Sequence, residues 1–200
     1  MENTNSLLKI RSYFVHDWLL KAGTVVDPDQ FAHVFSAEAP PIGWHLWHMA
    51  RFADRLQSKL AAVTEGAAGA EIWYDQDISG QWQVSAGDLG VFESGMGQSH
   101  LNAQGIIKQA GQAAVVAYAE AAFAACDAQI KRLSAADFDR AYHGILDYGY
   151  DAKTGEVWQS EPKENSVAQD VIFHATHGSR HMGMMEALRG LLGSAGTLSI

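Results

Sequence analysis

Apolar residues near the start of the chain recur at helical spacing. Leu7, Leu8, Ile10, Phe14, Trp18 and Leu19 follow one stripe, and Gly23 stands behind it as a stop signal. The pattern predicts a first helix over residues 5–21. Residues 24–39 lose the period and read as a connector with one short turn near Pro28. A second helix begins at Pro40-Pro41, because a proline in the first turn has no N–H to leave unpaired. Ile42, Leu46, Met49, Ala53, Leu56 and Leu60 then form its apolar face, and Thr64 and Gly66 end it.

Residues 65–98 are glycine-rich but carry Trp73, Tyr74, Trp82 and Phe92. A flexible linker would not hold so many large aromatics. The segment reads as an ordered excursion packed over one end of the molecule. A third helix runs from the N-cap Ser99 to about Leu133, rich in alanine and weakened by Gly105 and Gly111. Ser134 to Asp137 caps a short turn. Residues 140–162 form a second irregular insertion, read as a hairpin turning at Gly155. The last helix runs from about Asn165 or Ser166 to Leu192 and closes at Gly193. The expected fold is all-α: a four-helix bundle in one domain over residues 1–200, with long irregular insertions between helices two and three and between helices three and four.

Charge narrows the function. The net charge of −9, without a cluster of lysine and arginine, argues against nucleic-acid binding. One cysteine, Cys126, allows no internal disulfide and suits a reducing compartment. The N-terminal residues MENTNSLLKI lack a basic start followed by an apolar core. The most apolar stretch, 113–126, is interrupted by Glu120 and reads as too short and too rich in alanine to span a bilayer. The expectation is a cytoplasmic protein without a membrane partner.

The chemistry lies in the histidines. His174, His177 and His181 crowd FHATHGSRH on the last helix. At helical periodicity His177 and His181 lie about 40° apart and His174 about 20° from His181, so all three share one face. Imidazoles buried without partners are costly. A metal ion removes the cost, because residues four apart on a helix can converge on one ion. His177 and His181 have that spacing; a role for His174 with His181 stays open. The third ligand must come from another helix, and WHLWHMAR on the second offers His45 and His48, between which spacing alone does not choose. His16, His33, His100 and His143 stand alone and read as ordinary half-buried residues. Three nitrogen ligands leave coordination positions open, as in a catalytic or ligand-capturing site rather than a structural one.

Around these positions Asp170 either orients a ligand from behind or serves the helix start. Arg51, Arg55 and Arg180 either hold a substrate carboxylate or form solvated ion pairs. The tryptophans wall a pocket or fill the core. Cys126, in an alanine-rich helix, reads as a core residue.

PPIGWHLWHMARFADRL (40–56) and HATHGSRHMGMMEALRGLLG (174–193), with EIW (71–73) and SGMGQS (94–99) between them, resemble the DinB-like (YfiT-like) superfamily of metal-binding four-helix bundles over nearly the whole chain. The resemblance implies His48, of HMAR, together with His177 and His181 as the metal ligands. Members often carry glutamine where this chain has Met184. It further implies nickel or zinc as the ion, a homodimer, and a metal-dependent enzyme of thiol S-transferase or hydrolase type. Such an enzyme acts on a small molecule with a low-molecular-weight thiol. The alternative is a non-catalytic metal or small-ligand binding protein.

Overall fold

The computed structural model describes residues 2–151, 154, 156–159 and 166–195. It is an all-α bundle. Four long helices form its frame: α1 (Glu2–Thr24), α3 (Ile42–Thr64), α7 (Gln112–Arg132) and α9 (Val167–Leu191). Each packs mainly on two others, giving the cyclic order α1–α7–α3–α9. Between them lie the one-turn helices α2 (Pro28–Phe31), α4 (Ile72–Asp75), α5 (Ile78–Gln81) and α8 (Ala135–Phe138), and the longer α6 (His100–Ala110).

Local chemistry sets the boundaries. Asp27 caps α2 by accepting from the Gln30 N–H at 2.8 Å, and Pro41 precedes α3. Ser99 accepts from the Asn102 N–H at the start of α6. At the head of α9 the Gln169 side chain accepts from the Ser166 N–H at 2.7 Å. One expectation is corrected: the single third helix over 99–133 is two, α6 and α7. They part at Gly111, whose φ of 77° lies in the left-handed region where a helix cannot continue.

The core runs the length of the bundle. Leu19, Leu46, Trp47, Met49, Leu56, Leu60, Phe123 and Met185 are among its buried members. The excursion at 65–98 is ordered and belongs to it, with Trp73, Ile78, Trp82 and Leu89 buried. Its anchor is Arg51, fully buried on α3. Arg51 donates to the Glu71 carboxylate at 2.9 Å and to the carbonyls of Phe92 and Glu93 at 3.2 and 2.8 Å. Asp54 beside it accepts from the Ile72 and Trp73 N–H groups. Arg51 is therefore committed to holding this segment, and is neither solvated nor free for a substrate.

The second insertion is tied down by Asp170 of α9. Its carboxylate accepts from Tyr142 Oη at 2.6 Å and from the Ile145 and Leu146 N–H groups. Asp170 thus fastens the insertion, a role separate from both sequence expectations. Strands β1 (Tyr148–Tyr150) and β2 (Val157–Gln159) pair antiparallel, forming the expected hairpin. Its turn at Gly155 lies outside the described residues.

Helix α7 is longer than the 113–126 stretch, and by length and composition alone it could cross a membrane. In the bundle it buries Val115, Tyr118, Ala119, Ala122, Phe123, Cys126 and Ile130 against its neighbours, which accounts for its apolar character.

Candidate metal centre

Helices α3 and α9 lie side by side, and their facing stripes carry the histidines. The structure brings His48, His177 and His181 together, with ligand atoms all within 4.8 Å of one another. His177 Nε2 stands 3.0 Å from His181 Nε2 and 3.4 Å from His48 Nε2. Two imidazoles on one ion at ~2.0–2.1 Å are separated by ~2.9 Å at a right angle and ~3.4 Å at a tetrahedral one. The observed separations fall in that range.

Proton bookkeeping points the same way. His48 Nδ1 lies 2.5 Å from the Ser94 carbonyl oxygen, which can only accept, so His48 carries its proton there. Its Nε2 is then a lone pair aimed at His177. His181 Nδ1 lies 2.8 Å from His45 Nδ1. Three Nε2 atoms thus meet at one place, and hydrogen bonds alone do not match them all, since a single N–H on His177 cannot serve both neighbours fully. A cation at the meeting point would use all three lone pairs.

Burial keeps the rings neutral. It lowers the pKa of His48 to about 3, with His177 adding to the shift and the Ser94 bond opposing it. Burial takes His45 to about 4, and burial with the nearby Arg180 takes His177 to about 4. His181 is lowered too, by burial first and then by His48 and His45. At neutral pH the lone pairs are available without displacing protons.

The surroundings fix the rings. Trp44 stacks on His48 with centroids 4.6 Å apart and planes 12° from parallel, and its indole N–H donates to Gln98 Oε1 at 2.7 Å. Phe52 meets His177 edge-on at 4.7 Å. Gly95 has a φ of +87°, and a Cβ there would sit 2.8 Å from the Trp44 ring. Only glycine lets the loop approach closely enough to deliver the Ser94 carbonyl to His48.

Sequence spacing left His45, His48 and His174 unresolved. The geometry separates them: His48 faces the centre, His45 stands behind His181, and His174 turns to another cluster with His16. The Ser94 carbonyl escaped sequence reading because every residue has one. Trp47 and Trp73 are buried, whereas Trp44 forms a wall of the site. Arg55 is buried with its guanidinium 4.1 Å from the Phe92 ring centroid, and Arg180 is exposed. Met184 lines an apolar cleft of about 260 Å³ beside His45, with Pro40, Ala187 and Leu188.

No protein-family model matches the chain, and no curated protein matches it. Among solved structures, the chain is similar to the crystal structure of a conserved protein from Enterococcus faecalis. The two are 13% identical with a TM-score of 0.63, and the match covers 94% of this chain and 97% of that one. At that identity the likeness speaks for the fold.

Proposed function

We propose that this chain is a divalent-metal-binding protein of the DinB-like type, with His48, His177 and His181 as ligands, and that it acts as an enzyme on a small molecule. The observation that carries the reading is the convergence of three neutral imidazole nitrogens without a carboxylate or thiolate among them. Such a set would leave the two positive charges of an ion uncompensated and at least one position open, which favours an anionic or ionisable ligand from outside. Nickel and zinc suit the nitrogen donors.

When bound, the ion supplies Lewis acidity that lowers the pKa of a coordinated thiol or water. The chain's own residues do the rest. Ser94 and His45 orient two of the rings from behind. Trp44, Phe52 and Phe173 border the histidines with aromatic surface. The cleft at His45, Met184 and Leu188 is apolar and suited to the carbon portion of a substrate. The chain's single cysteine is buried, and burial pushes its thiol pKa well up, so it offers no nucleophile of its own. An external low-molecular-weight thiol, or water, fills that role. A homodimer and a cytoplasmic setting complete the proposal and rest on the resemblance and composition.

The test has two stages. Purified wild type should hold about one metal equivalent more than His181→Ala; equal content would refute the ligand assignment. The metal-loaded protein is then screened with glutathione, bacillithiol and mycothiol against a panel of electrophiles, with His48→Ala as control. Turnover abolished in that variant supports the enzyme. Thiol binding by calorimetry without turnover supports the alternative, a binding protein. Full turnover in His48→Ala would overturn the metal mechanism.

A further inference from the structure

A second group of buried donors lies between α1, α7 and α9: His16, Cys126 and His174, each on a different helix. Their ligand atoms also lie within 4.8 Å of one another, and the three residues are 2%, 0% and 0% exposed. His16 Nδ1 lies 2.7 Å from Asp127 Oδ1. The carboxylate accepts that proton, which leaves His16 Nε2 as a lone pair facing inward. This carboxylate–histidine pairing is the one that holds a ligating imidazole in its tautomer. His16 Nε2 in turn sits 2.7 Å from His174 Nε2, and Phe123 stacks under the His16 ring at 4.3 Å.

We propose that His16, Cys126 and His174 form a second metal site, distinct from the histidine centre and selective for a thiophilic divalent ion such as zinc. Three observations converge on it. The donor set is two nitrogens and one sulfur, a mixture that zinc and cobalt accept; the two imidazole nitrogens, hydrogen-bonded at 2.7 Å, would part to ~2.9–3.4 Å to share the ion. One buried polar atom of the cluster itself has no partner, His174 Nδ1. Such an atom is expensive in a core unless something polar shares the space. The charges also balance. A dication with the Cys126 thiolate and the Asp127 carboxylate sums to zero, which permits burial. The step is an exchange: the Cys126 S–H bond breaks, a sulfur–metal bond forms, and the proton leaves to solvent.

The two sites differ in consequence. The histidine centre leaves its ion's charge uncompensated, whereas this one sets a thiolate and a nearby carboxylate against it and would tie α1, α7 and α9 together through three donors.

Cobalt(II) distinguishes them. Sulfur coordination gives an intense near-ultraviolet charge-transfer band that an all-nitrogen site lacks. Metal-stripped full-length protein is titrated with Co(II), both as folded and after refolding with the ion present, since the donors are buried. The expected result is two equivalents with the thiolate band. Cys126→Ala should take one equivalent without the band, and His174→Gln should weaken the band strongly. His177→Ala should keep the band, so the test stands even if the histidine centre fails its own. Absence of the band from both native and refolded wild type would overturn the proposal and leave an Asp127–His16–His174 hydrogen-bonded relay. Because the wild-type band is itself decisive, a variant that fails to fold does not rescue or sink the idea.

Discussion

The three imidazoles of the histidine centre are held with unequal firmness. His48 is clamped between the Ser94 carbonyl and the Trp44 ring, and His181 leans on His45. His177 is flanked by the Phe52 and Phe173 rings, and its Nδ1 has no hydrogen-bond partner. Removing His45 leaves all three donors in place and takes away one support. His45→Ala should therefore weaken metal affinity by ~10–100-fold, the usual cost of losing an orienting partner, without abolishing binding. Competition with a chromophoric chelator measures this, and an affinity equal to wild type would remove His45 from the site. The sequence foreshadowed this centre because His177 and His181 are spaced four apart on one periodic face. It could not divide the work between His45 and His48, which lie within one turn of each other on α3. The cluster of His16, Cys126 and His174 left no trace in spacing: His16 is 158 residues from His174 and 111 from its carboxylate partner Asp127. Only the packing of three helices brings them together.

Among the elements, the long helices were legible from apolar periodicity, and the buried aromatics of residues 65–98 correctly marked an ordered segment. The break at Gly111 was harder to read, because glycine inside an alanine-rich run can weaken a helix without ending it. The close approach of α1 to α9 depends on another glycine. A Cβ at Gly178 would meet Val15 Cγ1 at 2.4 Å, with Met49 Cε next at 3.4 Å. Gly178 lies between the proposed ligand positions His177 and His181 and one turn after His174, on the face of α9 that meets α1. Replacing glycine by alanine within a helix stabilises it by ~1 kcal/mol. Overpacking a core typically costs ~1–3 kcal/mol. At 2.4 Å against a buried valine the clash should win, and Gly178→Ala should lose stability by ~1 kcal/mol or more in urea unfolding. A gain in stability would show that α1 can slide aside freely.

For the whole molecule, five histidines, four buried and His177 partly so, have lowered pKa values that make stability depend on pH. His45 and His177 titrate at about 4 and His48 at about 3 in the folded chain; His174 and His181 are also lowered, all five chiefly by burial. In the unfolded chain each returns to ~6.5. Below that pH the unfolded state takes up protons that the folded state refuses, so stability is full above ~6.5 and falls as the pH drops toward 4. A group moved from 6.5 to about 4 accounts for ~3 kcal/mol, and a few together rival the ~5–15 kcal/mol that holds a typical domain. The Tm of metal-stripped protein should be flat from pH 8 to 7 and collapse between 6 and 4.5. A Tm unchanged down to pH 4.5 would contradict the burial of neutral imidazoles.

The stacking of Trp44 on His48 gives the protein an optical property. An indole in van der Waals contact with a proposed ligand ring places a fluorophore within a few ångströms of any ion bound there. Open-shell ions such as nickel and copper quench a neighbouring excited indole, and closed-shell zinc does not. The emission of the unlabelled chain would therefore report the kind of ion as well as its arrival. Trp44→Phe would silence that signal against the background of the remaining tryptophans.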